Sequence, residues 1–248
     1  MIYYFSGTGN SRHVAQSLAK ATGDDLKFIP ECEFQGYTDV LGFVFPVYSW
    51  GVPTVVLDFI RALPLCDKED MYVFMVATCG DDVGLTDKML EKELRAKNIE
   101  LDLSFSVTMP NTYVLLPGFD VDSKDVEQLK LEKSKARLSA IAEKINSRVK
   151  ETDVVRGGMA WLKTKVIYPL FTKYGINSAK WRAEDSCVGC ELCSKVCPDS
   201  NIDMDCGKPK WGRQCVSCTA CYHVCPKHAV RYGNATKKKG QYRTLLKR

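Results

Sequence analysis

Along the first 150 residues, short apolar runs alternate with stretches in which apolar positions recur every three or four residues, the two spacings of strands and amphipathic helices. Ile2–Phe5 is a β-rich run, followed by the Gly-rich turn Ser6-Gly7-Thr8-Gly9 and an amphipathic stretch from about Asn10 to Ala21. Leu26–Ile29 predicts a second strand. Val40–Phe45 is almost wholly apolar, as a strand buried on both faces should be. Pro53 suits a first helical turn, and Val55, Val56, Phe59 and Ile60 continue at helical spacing. Met71–Ala77 predicts another buried strand, Leu85–Lys97 a helix with i,i+4 charge pairs such as Glu91–Arg95, Leu101–Val107 a fifth strand, and Ser123–Lys150 a long charged helix. Five buried strands separated by helices predict a doubly wound parallel α/β domain over residues 1–150.

Residues 151–180 break the pattern. Gly157-Gly158 interrupts it, and Met159–Tyr174 is apolar and aromatic with interspersed Lys and one Pro, Pro169. This stretch is expected to be a connector helix packed between two units. A membrane-surface helix is disfavoured because Pro169 interrupts it. Residues 236–248, from Lys237-Lys238-Lys239 onward, form a basic tail expected to fray in solvent.

A chain of 248 residues has room for one or two domains. No apolar run reaches the ~18–20 residues of a membrane helix, so no transmembrane segment is expected. The start of the chain has neither a basic lead nor a small-residue cleavage site, and a cytoplasmic location is the expectation. The net charge of +5 is uneven. Residues 1–150 carry 17 Lys/Arg against 22 Asp/Glu, whereas residues 181–248 carry 13 against 6. An acidic front and basic rear point to two units with different partners, or to two units that attract. Nothing else supports nucleic-acid binding. No Ser-His-Asp or Cys-His arrangement appears, so hydrolytic machinery is not expected.

Nine of the twelve cysteines fall within residues 187–225, where they form a repeat at an offset of 28. The runs are Cys187-Val-Gly-Cys190-Glu-Leu-Cys193-Ser-Lys-Val-Cys197-Pro198 and Cys215-Val-Ser-Cys218-Thr-Ala-Cys221-Tyr-His-Val-Cys225-Pro226. Each reads C-x2-C-x2-C-x3-C-P, the run that ligates [4Fe–4S] clusters in bacterial ferredoxins, where the fourth Cys serves the other cluster. Three closely spaced cysteines wrap three irons of a cubane; the fourth iron needs a thiolate from elsewhere. Cluster I is therefore expected to use Cys187, Cys190, Cys193 and Cys225, and cluster II Cys215, Cys218, Cys221 and Cys197. Zinc is the rival, but zinc sites commonly use His or a second separated pair. Cys206 lies outside both runs and reads as a buried non-ligand thiol, and His223 as a local neighbour or surface residue. A domain of residues 181–235 buries little apolar area alone, so the clusters should supply much of its core.

The turn Ser6-Gly7-Thr8-Gly9-Asn10-Ser11 follows a strand and opens a helix, where backbone N–H groups bind phosphate. The dinucleotide pattern would want Gly at Arg12, and a Walker A loop would want a Lys that is missing. Phe5-Ser6-Gly7-Thr8-Gly9-Asn10-Ser11 resembles the FMN phosphate loop of flavodoxins, and the whole chain resembles the flavodoxin–ferredoxin fusion proteins of anaerobic bacteria and archaea. The resemblance implies a flavodoxin-like five-stranded sheet of order 2-1-3-4-5, plus a small α+β 2[4Fe–4S] ferredoxin domain. FMN is implied at the carboxyl ends of the strands. It further implies that Pro46, Val47, Tyr48, Ser49, Trp50 and Gly51 hold one side of the ring, with Tyr48 and Trp50 able to stack and Gly51 letting backbone approach. Thr78, Cys79, Gly80 and Asp81 would form the other side, with no aromatic residue there. Asn111 or Tyr113 could also reach the flavin. Asp81 and Asp82 are expected at a solvent-facing loop tip. On the same resemblance, residues 151–180 become an alternative docking or lid segment over the flavin.

These expectations give an electron-transfer protein linking one- and two-electron carriers in anaerobic metabolism. Its expected partners are redox proteins, ferredoxin- or flavodoxin-dependent oxidoreductases. The alternative is a flavin-dependent reductase of a small organic acceptor, fed through the clusters.

Overall fold

Six parallel strands form the central sheet of the computed structural model: β1 (Ile2–Tyr4), β2 (Leu26–Phe28), β3 (Val40–Pro46), β4 (Tyr72–Cys79), β5 (Leu103–Thr108) and β6 (Glu151–Asp153). Their order is β2-β1-β3-β4-β5-β6. The structure describes residues 1–175 and 177–246. Ile176 of the expected connector and Lys247 and Arg248 of the expected tail lie outside the described residues.

Alternation along the strands sends side chains to two cores. On one face Ile2, Val44, Phe74, Val76 and Phe105 meet α1 (Asn10–Thr22) and α4 (Lys124–Asn146) through Val14, Leu18, Leu138 and Ile141. On the other, Tyr3, Phe43, Phe45 and Met75 meet α2 (Thr54–Ala62) and α3 (Thr86–Arg95) through Val56, Ile60, Leu90 and Leu94. Gly42 in β3 has no alternative: the Phe74 ring fills the space a Cβ would need. Ser123 caps α4 by accepting from the Val126 N–H.

The sheet has one strand more than the sequence pattern predicts. Glu151–Asp153 pairs with Leu103–Phe105 of β5, inside the segment expected as connector. It is short and polar at a sheet edge, so it lacks the apolar run that marks a buried strand. Beyond it, the Val155 carbonyl accepts from the Val83 N–H and the Val155 N–H donates to the Ser106 hydroxyl. Arg156 forms a two-pronged ion pair with the buried Asp87 at 2.8 and 2.6 Å.

Residues 160–175 form one helix of mixed α and π turns that runs through Pro169. The wider turns accommodate a residue that lacks an N–H. Thr164 and Tyr168 are its buried side chains. They face the 50–52 and 84–85 loops, where Thr164 Oγ1 donates to the Trp50 carbonyl and accepts from the Leu85 N–H, and Tyr168 donates to the Val52 carbonyl.

In the C-terminal unit, β7 (Trp181–Ala183) pairs with β10 (Val230–Tyr232), and β8 (Ile202–Asp205) with β9 (Lys208–Trp211), both antiparallel. Each cysteine run contains a short helix, Leu192–Lys195 and Ala220–Val224. The 28-residue repeat is also written in the backbone. Left-handed conformations recur at Gly189 and Ser217, at Glu191 and Thr219, and at Ser200 and His228. The unit's core of Trp181, Ile202, Tyr222, Val230 and Tyr232 includes Val114 and Leu115 from the loop after β5. The two units thus share a core.

The tail departs from expectation. Thr236 and Tyr242 are buried. Tyr242 donates to Asn10 Oδ1, Lys239 to the Val114 carbonyl, and the Gly240 N–H to Asp120. Basic composition predicts solvent, and Lys237 and Lys238 are exposed, but Lys239 and the Tyr242 ring pack across the join between the units.

Candidate functional site

The turn after β1, and the loops after β3, β4 and β5, gather at the carboxyl edge of the sheet, beside the point where the chain order reverses between β1 and β3. Such crevices are the usual ligand positions of doubly wound folds.

Gly9 takes a left-handed conformation (φ 98°) and α1 begins at Asn10. Among the described residues nothing accepts from the backbone N–H groups of Gly7, Thr8, Asn10 and Ser11. These are donors that a phosphate would satisfy. The side chains are more committed. Ser6 Oγ accepts from the Gly9 N–H, Thr8 meets Thr112 at 3.2 Å, and Asn10 bridges the Pro110 carbonyl and Tyr242. Ser11 is buried and bonded to Thr78 at 2.7 Å, which ties α1 to β4. The Leu245 carbonyl lies against Gly9 and accepts from Arg12, so the tail and a phosphate would share this turn.

Of the loop after β3, Pro46, Val47, Tyr48, Ser49 and Trp50 are partly buried. Ser49 and Trp50 adopt left-handed backbone in a tight turn closed by Tyr48–Gly51 hydrogen bonds. Lys163 lies 5.0 Å from the Trp50 ring. The Tyr168 ring occupies the space a Cβ on Gly51 would need. In the loop after β4, Cys79 is buried, and burial pushes its thiol up to about 12. Asn111 packs against Gly80 and is itself held by Asp122. Asp81 is exposed, but Asp82 is not at a solvent-facing tip: it pairs with Lys163 at 2.7 Å and caps the Gly84 N–H. Nothing in the local sequence revealed that partner, which lies about 80 residues away.

Two cavities, both open to solvent, occupy the C-terminal unit. One is lined by Cys187, Cys190, Cys193 and Cys225, and the other by Cys197, Cys215, Cys218 and Cys221. Each cavity therefore takes three thiols from one run and the last thiol of the other. Burial raises the thiol pKa at Cys193 to about 11 and at Cys218 to about 12, and raises Cys215 and Cys221 as well. Crowded, buried thiols resist ionisation unless a cation offsets the charge.

The donors around the sulfurs fit a cluster. The Ala229 N–H donates to Cys225 Sγ at 3.1 Å, and the Asn201 N–H to Cys197 Sγ at 3.4 Å, again 28 residues apart. Trp181 and Trp211 stack at 6.1 Å beside the second cavity. Both indoles line the second cavity together with Cys215 and Cys221. The Trp211 N–H has no partner of hydrogen-bonding geometry among the described residues. It is a buried donor that a sulfide would satisfy. Among the described residues no three His, Cys, Asp or Glu side chains converge to hold a single ion. A cubane instead spreads its thiolates around a body of eight atoms.

The second cavity abuts the sheet edge. Cys218 Cβ stands 2.5 Å, and its Cα 3.3 Å, from where a Cβ on Gly7 would lie. Tyr48 is close to Cys218, Cys215 and Asp199, and its phenol pKa is raised, mainly by burial. The first cavity lies on the outer side, where Cys190 is exposed.

Two residues differ from their sequence readings. Cys206 is exposed on the β8–β9 turn. His223 is fully buried, with Nε2 donating to the Thr112 carbonyl and Nδ1 accepting from the Tyr242 N–H. Only the neutral Nε2–H tautomer makes both bonds, and burial pushes its pKa down to about 4. No sequence signal pointed to this role, because both partners lie outside the cysteine run.

No protein-family model matches the chain, and no curated protein matches it. Solved structures resemble part of it. The flavodoxin of Streptococcus pneumoniae TIGR4 is 15% identical over 56% of this chain and 97% of its own, at a TM-score of 0.35. Rubredoxin oxygen:oxidoreductase of Desulfovibrio gigas is 17% identical over 59% of this chain and 36% of its own, at 0.38. The FMN-dependent NADH-azoreductase of Bacillus anthracis is 10% identical over 57% of this chain and 98% of its own, at 0.36. At these values the likeness carries no weight beside the chain's own geometry.

Proposed function

We propose that this chain is an electron-transfer protein. Two [4Fe–4S] clusters, held by Cys187, Cys190, Cys193 and Cys225 and by Cys197, Cys215, Cys218 and Cys221, exchange electrons with an FMN at the carboxyl edge of the sheet. The observation that carries this reading is the contact between Cys218 and Gly7. It sets a four-thiol cavity directly against the turn whose free N–H groups suit a phosphate. Groups held at these two neighbouring places would need no moving part to exchange electrons.

FMN supplies the capacity to take one or two electrons, whereas each cluster passes one. The chain's residues hold and shield these groups. Gly7, Thr8, Gly9, Asn10 and Ser11 offer backbone donors at the start of α1. Ser6 shapes the turn. Pro46–Gly51 and Thr78–Asp81 bound the crevice, and Tyr48 lies between it and the second cavity. Asn111 packs against Gly80 and Lys163 pairs with Asp82, so the loop after β4 leaves less room for a small acceptor. Redox proteins are the favoured partners.

The test uses a small reduced ferredoxin as donor to the holoprotein. Flavin reduction should follow cluster reduction in the parent chain. It should slow in a Cys218→Ala variant that retains FMN. Equal flavin reduction rates in the two proteins would overturn the reading.

A further inference from the structure

The 160–175 helix turns little of its surface inward. Thr164 and Tyr168, four residues apart, anchor it, and the rest of its surface is largely uncovered, with large apolar side chains set among exposed lysines. Met159, Trp161, Val166, Ile167, Leu170 and Tyr174 are all exposed, Trp161 at 64% and Tyr174 at 67%. Over half of the exposed large apolar side chains among the described residues lie between positions 155 and 174. Such a concentration of exposed apolar side chains on one helix marks a contact surface.

Charge selects among the possible occupants. Residues 154–183 carry six basic side chains and no Asp or Glu; Arg156 and Lys163 are paired with Asp87 and Asp82, which leaves Lys165, Lys173, Lys180 and Arg182 to set the charge of this face. A second copy of the same face would bring like charges together. An acidic protein would need hydrogen-bonding groups at its rim, and this face offers few apart from lysine. A lipid bilayer with anionic headgroups needs none: it takes the apolar side chains below the headgroups while the lysines reach the phosphates. Aromatic side chains at both ends, Trp161 and Tyr174, suit the headgroup level. At ~1.5 Å per residue the helix is about 24 Å long, so it is shaped to lie on a bilayer rather than cross one. The objection from Pro169 falls away, because the helix continues through it.

We propose that the exposed face of the 160–175 helix docks this protein on the surface of an anionic lipid bilayer. The site is independent of the redox reading, and its test reads no electron transfer.

The full-length holoprotein is sedimented with vesicles of phosphatidylcholine alone and of phosphatidylcholine with phosphatidylserine. Binding is expected to the anionic vesicles, with a blue shift of tryptophan fluorescence that Trp161→Phe removes, and with reversal by high salt. Lys165→Glu and Lys173→Glu should each weaken binding roughly fivefold or more. Ile167→Glu/Leu170→Glu should abolish it while circular dichroism and iron content stay unchanged. Absence of binding to anionic vesicles would overturn the proposal, as would binding that survives Ile167→Glu/Leu170→Glu. Concentration-dependent dimerisation lost in that same variant, without vesicle binding, would overturn it in favour of a second copy.

Discussion

Tyr168 packs against Gly51: its ring fills the space that any β-carbon there would claim, and its hydroxyl donates to the neighbouring Val52 carbonyl at 2.6 Å. The glycine in the loop after β3 thus has a structural reason within the chain, close approach by the 160–175 helix, besides the flavin-facing reason suggested by resemblance. Gly51→Ala should destabilise the fold more than Tyr168→Phe, which loses one hydrogen bond worth about 1 kcal/mol. In a Tyr168→Ala background Gly51→Ala should cost much less, a non-additivity expected of touching residues. Urea unfolding of the four proteins checks this. Additive effects would separate Gly51 from the helix.

The mixed ancestry of each thiol set gives a second expectation. Cys197 lies in the first run but lines the cavity of Cys215, Cys218 and Cys221. Cys197→Ala and Cys218→Ala should therefore remove the same cluster, and the double variant should lose no more iron than either single one. Iron analysis with EPR of the reduced proteins decides it. Loss of two distinct EPR signals by the two variants would refute the crossing.

Trp211 offers a third. Its indole N–H is buried on the wall of the second cavity without a partner among the described residues, and N–H···S bonds favour the more negatively charged reduced cluster. Trp211→Phe should keep the stack on Trp181 yet shift one of the two cluster potentials to more negative values. An unchanged pair of potentials in a redox titration would remove Trp211 from that role.

Removing the metal should separate the two units energetically. The sheet has two cores of its own, whereas the C-terminal core is small and is walled by cysteines. Chelation under reducing conditions should leave residues 1–150 folded and open residues 181–235 to protease. A cooperatively folded, protease-resistant C-terminal unit without iron would show that apolar packing alone holds it.

The sheet was legible in sequence because strands buried on both faces, such as Val40–Pro46 and Tyr72–Cys79, are continuous apolar runs. The cysteine repeat was legible because its spacing is short and local. Contacts across the chain were not. Strand β6 has no apolar residue, Asp82 finds Lys163, and His223 is fixed by Thr112 and Tyr242. In each, tertiary packing decides what local composition cannot express. The tail shows the same thing: a run of lysines predicts solvent, yet Tyr242 and Thr236 a few residues away are buried.

The central claim is two four-iron clusters beside one flavin, and counting them tests it most directly. Iron, acid-labile sulfide and FMN are quantified in the anaerobically purified full chain. The account predicts about eight irons, about eight sulfides and about one FMN per chain. Four or fewer irons in fully reconstituted protein, or no FMN retained, would contradict it.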